Sequence, residues 1–265
     1  MKVVLSGDGG DEIFCGYNRY LKGLDIHKLL NQNLIRNILI EKLDSKKFII
    51  RKFFKENNIG KIEKLLTSLK ANDLNEYYDN VVKIFDYNDF LFKENNLEES
   101  FFKRYDINRY QLSDEEKLMY LDLKQYLPHD VLTKVDRASM YHGLEARSPF
   151  LDHEIVEFAF EIPLKYKKLR GNGKKIIKKI LSNYIPAYLI KNEKKGFSVP
   201  IKNWLIGPLK EWAKSMIEEE KKNKESLFNF SRLNEIVSED NYEFRNYQKL
   251  WTVLMFLSWK KSFFN

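Results

Sequence analysis

The chain has 265 residues, enough for one large domain or two small ones, and its 43% apolar and 14% aromatic content suits a folded core and excludes extended disorder. Its 46 basic side chains outnumber 38 acidic ones and leave +8, but the excess is mostly lysine dispersed along the chain, which favours a solvated surface over a nucleic-acid groove. A single cysteine, Cys15, excludes an internal disulfide or a cysteine-built zinc site, and no apolar run, WTVLMFLSW included, reaches the ~20 residues of a membrane helix, so a cytoplasmic protein without export signal, membrane span or nucleic-acid partner is expected.

Val3, Val4 and Leu5 predict a buried strand, the glycines behind them a turn, and residues 12–24 a helix. A parallel strand of this kind needs neighbours, yet nothing downstream repeats the pattern, so it reads as the last part of a sheet. Residues 25–111 place leucine and isoleucine at helical spacing among lysine and asparagine, as in LLNQNLIRNILIEKL, and predict several helices without chemistry. In SDEEKLMYLDLKQYLP, Ser113 and Glu116 have the spacing of a capping box, and Pro128 is expected to end that helix. Further helices are predicted over 130–141, 153–160, 174–184, 207–221 and 247–263. The expected fold is mostly helical with one clear strand at its start.

The stretch VVLSGDGGDEIFCGY carries the first chemical signal. A glycine-rich turn between strand and helix offers backbone amides to an anion. It lacks the Gly-Lys-Ser/Thr ending of a Walker A loop, and Glu12 stands where a dinucleotide fingerprint needs its third glycine. Asp8, Asp11 and Glu12 would repel a polyphosphate unless a divalent cation lay between, and such oxygen ligands suit magnesium. A magnesium polyphosphate site is the leading reading; a calcium-type turn, or Asp11 capping the next helix, stays open on spacing alone. In GKKIIKKIL, Ile176, Ile177, Ile180 and Leu181 form an apolar stripe with lysines on either side, and spacing does not choose among those lysines. Asp130, Lys134 and Asp136 fall within two helical turns, close enough to line one pocket wall. His129, His142 and His153 lack the pairing of a zinc helix and read as surface or packing residues.

Residues 6–12, Ser-Gly-Asp-Gly-Gly-Asp-Glu, followed by Phe14 and Gly16-Tyr17, resemble a signature of the asparagine synthetase family. YLPHDVLTKVDRASMYHGLEARSPFLD (126–152), EIPLKYKK (161–168), GKKIIKKIL (173–181) and KKGFSVPIKNWL (194–205) resemble further family blocks in the family order. The likeness covers about 2–22 and 113–205, more loosely the tail, and is poor over 25–111. It implies an α/β fold of the adenine nucleotide alpha hydrolase type, an ATP pyrophosphatase, of which residues 1–265 would form the C-terminal part of the synthetase domain. It further implies ATP and Mg2+, adenylation of the aspartate side chain, loss of pyrophosphate, and attack by ammonia supplied by a glutaminase domain or subunit; a homodimer is left open. Matched to the motifs, Asp11 becomes the magnesium ligand, Ser6 and Gly7 lie against AMP, and Asp8 stands beside the reacting acyl centre, where the family often has glutamate. The pattern Lys-x-Ile-Leu selects Lys178 to meet the pyrophosphate; Asp130 or its neighbours would orient the substrate, and Lys134 would add a phosphate contact. Glu145 and Arg147 are expected as a buried ion pair, and Gly196, Phe197 and Trp204 as packing. The family's Ser-Gly-Gly-x-Asp-Ser loop and its cysteine after the initiator methionine do not occur, so the chain reads as a fragment, a split subunit or the product of a broken gene. Amidation of a surface-polysaccharide sugar acid or another carboxylate, and a non-catalytic partner subunit, are the alternatives.

Overall fold

The computed structural model describes residues 2–30, 69–85, 107–169, 171–190, 199–223, 226–231 and 244–264, together with residues 37, 41 and 233. The chain forms two compact units, one of Met1–Lys42, Thr67–Val82 and Phe101–Lys194, the other of Leu43–Leu66, Lys83–Ser100 and Lys195–Asn265.

The first unit opens with β1 (Val3–Leu5), which pairs in parallel with β2 (Glu145–Arg147), Val3 opposite Glu145 and Leu5 opposite Arg147. The pairing extends at both ends, where Glu145 N donates to Lys2 O at 2.9 Å and Ser6 N to Arg147 O at 2.8 Å. The second strand corrects the expectation of a single one: Glu-Ala-Arg has no strand-forming side chain, and its backbone is extended because β1 lies beside it. Two side-chain expectations fail with it. The β1 side chains are exposed rather than buried. Glu145 and Arg147 do pair, Nε to Oε1 at 2.7 Å, but at 51% and 63% side-chain exposure, because i and i+2 of a strand share a face and this face is open to water. Such a pair contributes little to stability.

The helix predicted over 12–24 is broken into α1 (Gly10–Ile13), a 3-10 turn at Asn18–Tyr20 and α2 (Lys22–Leu30). The break is at Cys15, which takes a left-handed φ of 56° and sends Gly16 N back to Asp11 O at 2.7 Å. Of the helices expected over 25–111, α2 and α3 (Leu74–Val82) are described, with a 3-10 turn at Ile107–Arg109; residues 31–36, 38–40, 42–68 and 86–106 lie outside the described residues.

α4 (Asp114–Lys124) begins with the expected capping box: Ser113 Oγ accepts from Glu116 N, and Glu116 Oε2 accepts from Ser113 N at 3.0 Å. As expected, α4 ends just before Pro128, at Lys124; Pro128 itself sits in the first turn of a π-helical segment, Leu127–Leu132, that runs directly into α5 (Thr133–Met140). Proline is tolerated there because a first-turn amide has no acceptor within its own helix. After β2 come α6 (His153–Glu161), N-capped by Asp152 accepting from Glu154 N at 3.0 Å, then α7 (Leu164–Lys167), α8 (Lys175–Leu181) and α9 (Ala187–Ile190). One core cluster gathers Tyr20, Leu24, Tyr77, Tyr78, Leu118 and Leu121; a second joins Ile13 and Phe14 of the α1 end to Ala159 and Ile162.

The second unit contains α10 (Ile201–Ile206), α11 (Lys210–Lys221) and α12 (Phe244–Phe264), packed around Leu205, Met216, Ile217, Leu250 and Leu254. Trp204 packs as expected, its ring 6.1 Å from that of Trp251, while Gly196 and Phe197 lie outside the described residues. The four helices predicted beyond residue 150 are present with ends displaced by up to three residues. Among the described residues, no helix is long and apolar enough to cross a membrane.

Candidate functional site

After β1 the chain turns sharply, and packing fixes the turn. Gly9 has a left-handed φ of 83°, and a Cβ there would lie 2.3 Å from Leu151 Cδ2. Ser148 Oγ donates to the Asp8 carbonyl oxygen, and Ser6 Oγ donates to Asp8 Oδ2 at 2.8 Å. Gly7, by contrast, faces open space, with nothing within 4 Å of an added Cβ. The loop is thus held on one side by residues 148–151 and open on the other. Asp11 lies inside α1, whose N-cap is Gly9 without a side-chain cap bond, so Asp11 is not the capping residue.

A second turn brings a cation to Asp11. Leu169 and Asn172 exchange backbone hydrogen bonds of 2.9 and 3.0 Å across Gly171, and Lys174 N donates to Phe14 O at 2.9 Å. Gly173 lies so close to the break at Cys15 that an added Cβ would be 1.8 Å from Cys15 O, and Gly16 leaves the space taken by Asp11 Oδ1 and Lys174 Cε. These close approaches set Lys174 Nζ 3.0 Å from Asp11 Oδ2, both side chains largely shielded from water. Lys178 stands one turn further along α8, exposed, and Lys175 Nζ donates to Lys165 O at 3.2 Å. The lysine brought to the acidic loop is therefore Lys174, which the helical stripe left undistinguished. Its signal in the sequence was the preceding Gly171-Asn172-Gly173, a turn able to approach another backbone closely.

Behind Asp11, Glu12 is almost fully buried, and burial holds its carboxyl above the ordinary glutamate range although Tyr17 OH donates to Oε1 at 2.8 Å. The Tyr17 ring meets Tyr126 edge-on at 5.9 Å, and the Arg19 guanidinium lies over both, 3.9 Å from Tyr17 and 4.7 Å from Tyr126. Arg19 in turn pairs with the fully buried Asp122 of α4 at 2.5 Å, and Asp122 also accepts from the Tyr20 and Tyr78 hydroxyls. Burial and the neighbouring Asp130 carboxylate push the Tyr126 hydroxyl above its ordinary range, which sets the predicted substrate-orienting Asp130 near this aromatic and ionic cluster. Lys134 Nζ is 3.4 Å from Asp130 Oδ1, an exposed i, i+4 pair, and Asp136 is exposed on the same helix. Arg19, Tyr126 and Asp122 were not singled out from the sequence; an aspartate within the apolar run LMYLDLK was the available hint.

Among the described residues, no group of three or more His, Cys, Asp or Glu side chains is placed to hold a metal ion. A magnesium ion is commonly held by one or two carboxylates together with waters and phosphate oxygens, a donor set that Asp11 can join.

A family model described as asparagine synthase matches residues 1–261, including the region 25–111 where the likeness looked poor. The glutamine-hydrolysing asparagine synthetase 1 of Bacillus subtilis is 29% identical over 97% of this chain and 40% of its own length. A putative glutamine-hydrolysing asparagine synthetase of Mycobacterium tuberculosis is 27% identical over 99% of the chain and 40% of its own length. Amidase chyE of Penicillium rubens is 32% identical over 41% of the chain and 17% of its own length. The chain thus spans about two fifths of the length of the synthetases it matches. No solved structure matches it significantly.

Proposed function

Since the chain belongs to the asparagine synthase family, we propose that it supplies the pyrophosphate-facing wall of a site that uses ATP to convert a carboxylate, aspartate in the leading reading, into an acyl adenylate and then into an amide. The observation that carries this reading is the Lys174 to Asp11 contact beside the glycine loop.

Pyrophosphate departs with several negative charges, so groups that neutralise those oxygens lower the barrier more than they stabilise bound substrate. Bound magnesium would supply much of that neutralisation. Asp11 is the residue to hold it, and the Lys174 ammonium, already partly desolvated and fixed by the turn at 171–174, adds a charge that needs little reorganisation. Lys174 takes the role that the family pattern alone assigns to Lys178. Ser6 and the uncrowded Gly7 face the adenylate, and Asp8, steadied by Ser6 and Ser148, stands beside the reacting acyl centre. Asp130 and Lys134 orient the acceptor at the end of the aromatic cluster. Ammonia would come from a glutaminase domain or subunit, and the wider fold would be the α/β type of nucleotide hydrolases.

The test is AMP release. The chain combined with the portion of the Bacillus subtilis relative outside the match should form AMP and asparagine from aspartate, ATP and ammonia, and the chain alone should form neither. AMP release independent of any carboxylate, or synthesis by the isolated chain, would refute the assignment.

A further inference from the structure

Backbone strain converges on the contact between Lys174 and Asp11. Among the described residues, Cys15 and Lys174 are the two non-glycine residues with a left-handed φ, 56° and 57°; one makes this contact and the other lies under the turn that delivers it. Such conformations are sparsely populated and persist where the surroundings impose them, often at functional sites. Here the close seat of Gly173 on Cys15 O imposes them. Both oxygens of Asp11 are engaged as a result. Oδ1 fills the space that a Gly16 side chain would need, 2.0 Å from an added Cβ, and Oδ2 faces the Lys174 ammonium at 3.0 Å.

We infer that Lys174 is a counter-ion gate on Asp11: its ammonium keeps a divalent cation off the carboxylate until a polyphosphate arrives with that cation. The inference rests on the reading of Asp11 as the residue that takes magnesium. A cation arriving alone has to displace the ammonium and then stand beside it, like charge next to like charge in a partly shielded place. A cation that carries phosphate oxygens meets a different balance. Lys174 Nζ passes from carboxylate to phosphate, the cation takes the carboxylate, and every charge keeps an opposite neighbour. Only the flexible end of the side chain has to move, because the Lys174 backbone is tied on both sides. Its N donates to Phe14 O at 2.9 Å, and its carbonyl oxygen accepts from Lys178 N at 2.9 Å. Lys175 is not placed for this exchange, since its Nζ donates to Lys165 O at 3.2 Å. The site therefore takes metal and polyphosphate together rather than in succession.

The full chain tests this without turnover, with Mn2+ as a paramagnetic probe that shares the oxygen-donor preference of Mg2+. Broadening of the backbone amide resonances of Asp11 and Gly16 reads occupancy. In the wild type, Mn2+ with inorganic pyrophosphate should broaden them at a metal concentration about tenfold or more below that needed for Mn2+ alone. Lys174→Met should take Mn2+ alone about tenfold or more tightly than the wild type and lose the response to pyrophosphate. Lys174→Gly, which adopts the left-handed φ without strain, replaces it should Lys174→Met fail to fold. Equal affinity for Mn2+ alone with and without the ammonium, or a pyrophosphate effect that is absent in the wild type or survives in the variants, would overturn the gate and leave Asp11 as a metal residue. Asp11→Asn separates the two failures: broadening that this variant leaves unchanged, or broadening in none of the proteins, would overturn the metal reading and the gate with it.

Discussion

Replacing Gly173 by alanine tests how the site is built without requiring any turnover. The added Cβ would lie 1.8 Å from Cys15 O and 2.8 Å from Cys15 C, both backbone atoms that cannot rotate away. Reaching even a tight 3.0 Å from the oxygen requires the 171–174 turn to withdraw by 1.2 Å, the difference between 3.0 and 1.8 Å, which would break the Lys174 N to Phe14 O bond of 2.9 Å. Overpacking of this kind costs about 1–3 kcal/mol and the lost hydrogen bond about 1 more, giving a loss of roughly 2–4 kcal/mol. The optical assay is helped by the distribution of chromophores. Trp204, Trp212, Trp251 and Trp259 all fall in the second unit, whereas Tyr17, Tyr20, Tyr77 and Tyr78 fall in the first. Thermal unfolding followed in the tyrosine band of near-ultraviolet circular dichroism should therefore shift down by about 4–16 °C, at about 2–4 °C per kcal/mol, while tryptophan fluorescence reports a smaller change. A tyrosine transition within about 1 °C of wild type would show that the turn does not press on Cys15 and that the placement of Lys174 is wrong.

Other substitutions probe the site and the core separately. In the reconstituted enzyme, Lys174→Ala should lower kcat about 100- to 1,000-fold with the fold intact, whereas Lys178→Ala should change it less than about threefold; equal losses would indicate a diffuse basic face. Burial pushes the Cys15 thiol up to about 12, so it should resist a thiol reagent at pH 8 and react stoichiometrically once unfolded; rapid native labelling would contradict its burial. Glu12 has a raised carboxyl because of burial, so its contribution to stability is fully present below the unfolded value and lost as pH rises through the folded one. The melting temperature of Glu12→Gln relative to wild type should therefore increase between about pH 4 and 8, and a flat or decreasing difference would refute that direction.

The local parts of this structure were legible because local chemistry decides them. Ser113 and Glu116 are three apart, and the four helices past residue 150 have periodic apolar faces, so their existence followed from spacing. The acidic loop was visible for a similar reason, since its glycines and carboxylates are contiguous. What escaped depends on residues distant in the chain. β2 is a strand only because β1, some 140 positions earlier, supplies its hydrogen bonds. Likewise, a helical reading continued through Cys15 because nothing near it predicts that Gly173 will seat on its carbonyl. Treating Lys174 as an ordinary first residue of a helix hid its left-handed φ of 57°, the conformation from which its side chain reaches Asp11.

The Arg19 and Asp122 pair also constrains how this sequence can change. Asp122 is fully buried, and the Arg19 guanidinium is enclosed by two tyrosine rings, so removing either partner leaves a charge with no solvent to receive it, at about 3–5 kcal/mol. Replacing both by apolar side chains of similar volume would be far less damaging, because no orphaned charge remains. Each single substitution is thus a valley between two tolerated states, and the 3-10 turn bearing Arg19 and the helix bearing Asp122 must alter in concert. Random drift one residue at a time meets a barrier at this joint.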